Sequence, residues 1–238
     1  PADHWTPDIH GTEIFSVIFG EGPDALGIAQ GCSGISLPIF FSRDAGPPFP
    51  AASQMDLARA LNIAAERGVS IVNVSAGQRT ATPEAGRHLE DGLSLCNQRR
   101  MLVLRAGVGA EHTVAATGND CCACLHVPAA VPTVLAVGAM DANGQPLDAS
   151  NWGASYASNG LLAPGVELDV IGPGDKPARR TGTSFATAIV SAVAARLLSL
   201  ARQSNYALDA LDVRTILIDS ADPCETEGAD DAHNRHAI

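Results

Sequence analysis

Ser184 stands in Gly182-Thr183-Ser184-Phe185-Ala186-Thr187, directly before an apolar run from Ala188 to Leu200. The run is built of Ala, Val, Ile and Leu, with Ser191 and Arg196 as early interruptions. A segment apolar on every side reads as a helix inside a domain core, and the run from 188 to 200 is too short to cross a bilayer. Gly182 and Thr183 break the preceding chain and can cap that helix. Ser184 then falls in the first turn, beside N–H groups without intrahelical partners and at the positive end of the helix dipole. Acyl transfer builds negative charge on an oxygen beside the attacking atom, so this is a favourable position for a serine nucleophile. An ordinary capping serine on a core helix has the same local sequence. His10 opens a second apolar stretch, Ile14 to Phe19. A histidine at a helix start can face a cleft and take a proton as general base. A surface histidine fits the same pattern.

Further segments give these two residues a shared context. Gly182-Thr183-Ser184-Phe185-Ala186-Thr187 resembles the nucleophile motif of the subtilisin-like serine proteases, and His10-Gly11-Thr12 resembles that family's histidine motif. Asn73-Val74-Ser75-Ala76-Gly77 resembles its substrate-binding strand, and Gly118-Asn119-Asp120 its oxyanion loop. Ser150-Asn151-Trp152-Gly153 and Ala163-Pro164-Gly165 resemble the two loops before the serine. These matches fall in the family's order along residues 10–200. Ile18-Phe19-Gly20, Leu37-Pro38-Ile39-Phe40 and Cys124-Leu125-His126-Val127-Pro128-Ala129 look like one branch, the cyanobactin maturation proteases. That branch cuts or macrocyclises ribosomal precursor peptides. The resemblance implies Ser184 as nucleophile, His10 as base, Asn119 as oxyanion donor and Ser75, Ala76 and Gly77 as the strand that holds a peptide. It implies a peptide substrate and no cofactor.

These residues must be positioned by a sheet. Val69 to Val74, Met101 to Arg105, Thr133 to Ala139 and Leu168 to Ile171 read as strands. Ile35 to Phe41 reads as another, and His112 to Ala116 as a further candidate after Gly107-Val108-Gly109. Between them lie helix signals. Ser53 and Asp56 form a capping box for a helix running to about Arg67, with Gly68 ending it. Pro83 to about Arg99 and Asp212 to Ser220 read as two more. Alternating strands and helices predict an α/β class, a three-layer subtilisin-like fold with a mostly parallel sheet and helices on both faces. Sites in such sheets lie at the carboxyl ends of strands, where Ser75, Ala76 and Gly77 fall. Residues 146–165 and 172–180 read as loops. A single domain is expected over 1–238, with an acidic tail from about residue 222.

The triad acid is the gap in this pattern. In subtilisin order it precedes the histidine by about thirty residues, whereas only residues 1–9 precede His10 here. The acid and the strand that carries it are therefore expected outside this sequence, on a separate fragment. Two alternatives stand beside that. Glu13, where the family usually has a second histidine, or Asp3 substitutes for it. Or the domain binds peptides without cutting them, as a degenerate protease.

Composition narrows the classes further. The net charge is −11 and Lys176 is the single lysine, which argues against nucleic acid or an acidic membrane surface as partner. No run reads as a transmembrane helix or a signal peptide, and a cytoplasmic location is expected. The six cysteines include Cys121, Cys122 and Cys124, but no second pair at zinc-finger spacing, so no metal is expected. A structural disulfide between Cys96, near a helix end, and Cys124, just past the oxyanion loop, is expected instead. Cys121 or Cys122 as the partner, or six free thiols in a reducing compartment, are the alternatives.

Overall fold

The computed structural model describes residues 9–23, 25–40, 52–106, 125–151, 156 and 159–222. In chain order the elements are α1 (Ile9–Phe19), β1 (Glu21–Gly22), β2 (Ala25–Leu26), α2 (Gln54–Glu66), β3 (Ile71–Val74), β4 (Gln78–Thr80) and α3 (Arg87–Gln98). Then come β5 (Leu102–Ala106), β6 (Leu125–Val127), β7 (Leu135–Met140), β8 (Gly160–Pro164), β9 (Leu168–Gly172), β10 (Lys176–Arg180), α4 (Thr183–Gln203) and α5 (Ala210–Asp219).

The central sheet is parallel, in the order β3-β5-β7-β8. β5 and β7 are buried on both sides, which is why they read as apolar runs and not as alternating patterns. Residue parity decides which layer each side chain meets. Leu102 and Leu104 join Leu135 and Val137 in a cluster with Ala186, Val190, Ala194 and Leu198 of α4 and Val213 and Leu217 of α5. Met101 and Val103 point the other way, into a cluster with Leu61 of α2 and Leu89, Leu93 and Cys96 of α3. A third cluster joins Ile14, Val17 and Ile18 of α1 to Phe185, Ala188 and Ala192 of α4 and to Val170 of β9. So α4 is covered by the sheet on one side and by α1 on another, as its uniformly apolar sequence requires. At 21 residues it is long and apolar enough to cross a membrane by length and composition, but 61% of that stretch is buried inside the protein. Counting from Ala188 underestimated its length.

The capping signals read from sequence hold in detail. Ser53 Oγ accepts from Asp56 N–H and Asp56 returns the bond to Ser53 N–H, which starts α2. Gly68, at φ 67°, ends it in a conformation that favours glycine. Asp209 and Asp212 form the same reciprocal box at the start of α5.

Four segments differ from the expectation, the first being residues 83–86, which precede α3 and are not part of it. Residues 35–40 form no strand; Pro38 has no N–H to give to a ladder and Ile35 is exposed. Gly160–Pro164, read as loop, is edge strand β8, with Leu161, Leu162 and Ala163 buried. Its glycine and proline masked the signal, although proline is tolerated at an edge. Residues 172–180 are also not a loop throughout. β10 pairs antiparallel with β9 and ends at Arg180, four residues before Ser184. The candidate strand His112–Ala116 and the acidic tail from 223 lie outside the described residues.

Candidate active site

Gly182 sets the start of α4. Its φ of 153° and ψ of 159° lie in a region that is nearly closed to other residues. Its N–H donates to the Gly165 carbonyl at 2.7 Å. The two backbones lie so close that a Cβ on Gly165 would sit 2.7 Å from Ala139 Cβ and 3.0 Å from the Gly182 oxygen. This close approach explains the Ala163-Pro164-Gly165 motif, which is unremarkable from local propensity. Gly182 offers no side-chain cap to α4, and its carbonyl accepts from Phe185 N–H at 3.1 Å and from Ala186 N–H at 3.3 Å. Ser184 occupies that turn and is 4% exposed.

A chain of polar contacts ties this turn to the end of β3. Ser191 Oγ donates to Asn73 Oδ1 at 2.9 Å, and Asn73 Nδ2 donates to Ser75 Oγ at 3.0 Å. Ser75 Oγ in turn donates to the Ser184 carbonyl at 3.2 Å. The Ser75 hydroxyl is thus committed to placing the Ser184 backbone. Ala76 and Gly77 follow with no regular structure before β4, so their peptide groups lie at the carboxyl end of a strand that is at the sheet edge among the described residues. Sequence reading singled out Ser75 but missed Asn73 and Ser191 as its supports. Their signal was present: two polar side chains in otherwise apolar segments, each needing a partner once buried.

His10 lies in the first turn of α1. Its ring meets Phe185 edge to face, with centroids 5.4 Å apart and planes at 87°. The residue after the serine is therefore the platform for the imidazole. Glu13, one turn on, is 4% exposed, and its carboxylate accepts from Arg180. Arg180 Nε lies 3.1 Å from Oε1 and 3.0 Å from Oε2, and Nη2 lies 2.7 Å from Oε1. That hydrogen bonding to the carboxylate, with its charge, raises the Arg180 pKa further. The structure directs Glu13 to Arg180 and gives it a partner other than the one expected of a substitute triad acid. Asp3 lies outside the described residues, as does Asn119 with its loop. Ser150 and Asn151 are buried, and Ser150 Oγ accepts from Ala139 N–H at 3.4 Å. Asn159, which sequence reading did not single out, donates through Nδ2 to the carbonyls of Ala129, Val131 and Val134. It fixes the loop that follows β6.

The disulfide expectation needs correction. Cys96 is a free thiol, fully buried in the apolar cluster beneath α2 and α3. It points into packed core, and sequence position at a helix end did not show that. Cys121, Cys122 and Cys124 lie outside the described residues. Burial pushes the Cys96 thiol up to about 11, and the thiolate is the reactive form. Iodoacetamide at neutral pH is accordingly expected to leave Cys96 unmodified in the folded protein and to alkylate it after unfolding. Rapid native alkylation, read by peptide mapping, would contradict this burial. Among the described residues no group of three or more His, Cys, Asp or Glu is placed to hold a metal.

Known proteins provide an independent measure of this arrangement. A profile of the Subtilase family matches residues 3–237. The solved structure of the prenylagaramide maturation protease PagA superposes with a TM-score of 0.83 at 43% identity, over 94% of this chain and 76% of that one. The PatG macrocyclase in complex with peptide superposes with a TM-score of 0.80 at 32% identity, over 92% of this chain and 62% of that one. Among curated proteins, M-protease of Shouchella clausii (strain KSM-K16) is 28% identical over 214 residues, 89% of this chain. The chain spans about half, 49%, of that relative's length.

Proposed function

Because this chain belongs to the subtilase family, we propose that it breaks peptide bonds through an acyl-enzyme on Ser184. The observation that carries this reading is the joint placement of Ser184 in the first turn of α4 and of His10 against Phe185, the next residue. Ser184 Oγ attacks the scissile carbonyl while His10 takes its proton. The Ser184 N–H and the Asn119 amide hold the oxyanion. His10 then returns the proton to the leaving amine as the C–N bond breaks, and an ester to Ser184 remains. Water resolves the ester in hydrolysis; a peptide amine resolves it in macrocyclisation. The peptide lies along Ser75, Ala76 and Gly77, pairing with backbone at the strand end.

The substrate in this reading is a ribosomal precursor peptide. Identity is higher to PagA, a maturation protease, than to the PatG macrocyclase, 43% against 32%, which favours water as the second nucleophile. A fluorophosphonate probe followed by peptide mapping tests the first half, with the adduct expected on Ser184. Incubation with a precursor peptide tests the second, with linear fragments expected by mass spectrometry. Cyclic product, lighter by one water than the linear core, would move the assignment to macrocyclisation. Absence of both adduct and cleavage would leave a peptide-binding domain.

A further inference from the structure

The Glu13–Arg180 pair joins the two segments that carry the reacting groups. Glu13 follows His10 by three residues, one turn along α1, and Arg180 precedes Ser184 by four. Glu13 is nearly inaccessible, its side chain 5% exposed, while the Arg180 side chain is 44% exposed and closes over it. Three charge-assisted contacts, at 2.7–3.1 Å, hold the guanidinium on the carboxylate. A planar fork of this kind fixes orientation as well as distance. The carboxylate is buried between α1 and the β9–β10 hairpin, where a Cβ on Gly172 would be in ordinary van der Waals contact with Oε1 at 3.6 Å. Further along α1, Ser16 Oγ accepts from Ile171 N–H at 2.9 Å and holds the helix to the same hairpin. The end of α1 nearer His10 depends on Arg180.

Resting on the proposed hydrolase, we infer that Glu13 and Arg180 are positioning residues that set the His10 imidazole relative to Ser184. The pair acts as a clasp. Arg180 terminates β10, the strand that delivers the chain to α4, and Glu13 belongs to the helix that starts with the base. Neither side chain is placed on the substrate in this account. Their effect belongs to the proton-transfer geometry and so to turnover, with binding left unchanged.

Removing Arg180 alone strands a buried carboxylate and threatens the fold. The informative variant is therefore the neutral pair Glu13→Gln/Arg180→Gln, measured beside Arg180→Lys and the control Ser16→Ala. A displacement on the order of 1 Å costs about a hundredfold in rate. The neutral pair should accordingly lower kcat roughly ten- to a hundredfold with KM within about twofold of the parent. Arg180→Lys keeps the charge but not the planar fork and should recover only part of kcat. Ser16→Ala loosens the same helix away from His10 and should lose stability without a comparable loss of kcat. A spectroscopic readout does not require turnover: the ring-current shift of the His10 ring protons caused by Phe185. It should move in the neutral pair and move less in Arg180→Lys.

An active parent whose neutral pair is folded, retains kcat and retains the His10 shift would overturn the clasp and leave the hydrolase reading intact. Equal kcat loss in Ser16→Ala at equal stability would also overturn it, since general loosening would then suffice. A parent that neither cleaves nor takes the phosphonate sinks the hydrolase reading instead. In that case the His10 shift alone decides, and an unmoved shift in the neutral pair refutes the clasp.

Discussion

Ser184→Ala is expected to remove peptide cleavage while the protein stays folded. The loss should be on the order of a million-fold in kcat, as removal of the nucleophile causes in subtilisin itself. The fold should tolerate the change because the Ser75 bond goes to the Ser184 backbone carbonyl, which alanine retains. Unfolding in denaturant should therefore give a midpoint close to the parent's, while turnover and phosphonate labelling both vanish. A variant that cleaves at a rate near the parent's would show that the acyl group is carried elsewhere. A variant that unfolds would place Ser184 in the scaffold and not in the chemistry.

His10→Ala should cost nearly as much. Without a base the serine proton has no acceptor, and groups that act as a unit do not contribute additively. The double variant His10→Ala/Ser184→Ala should accordingly be no slower than either single variant, within error. His10 is also half of a ring contact with Phe185, so some stability should go with it. Aromatic contacts of this kind are worth about 0.5–1.5 kcal/mol, far below what would explain a million-fold loss. Measuring stability and kcat on the same preparation separates the two effects. If His10→Ala keeps kcat within about tenfold of the parent, another group takes the proton, since general base catalysis typically contributes 10²–10⁴-fold.

Sequence determined the parts of this protein whose signals are local. A serine just after a glycine and before an apolar helix, a histidine at a helix start and reciprocal Ser–Asp capping can each be read from adjacent residues. The chemistry needs them at helix ends, and helix ends are marked within one turn. The central strands were legible because burial on both faces leaves continuous apolar runs in β5 and β7. β8 was not, because glycine and proline, tolerated at the sheet edge, break up its short apolar stretch. The role of Gly165 appeared only when Ala139 and Gly182 came into contact with it.

The tertiary structure alone decided what each polar side chain is for. Glu13 looked equally fit to be solvated or to stand behind His10, because a helix face does not say what packs on it. Arg180, 167 residues away, covers the carboxylate. Ser75 looked like part of a substrate strand, yet its hydroxyl is held by Asn73 and given to the Ser184 carbonyl, 109 residues on. Cys96 looked available for a bond and is instead packed among Leu61, Leu89 and Val103. In each case the residue's type fixed what it can do, and only the folding of distant segments onto it fixed which of those things it does.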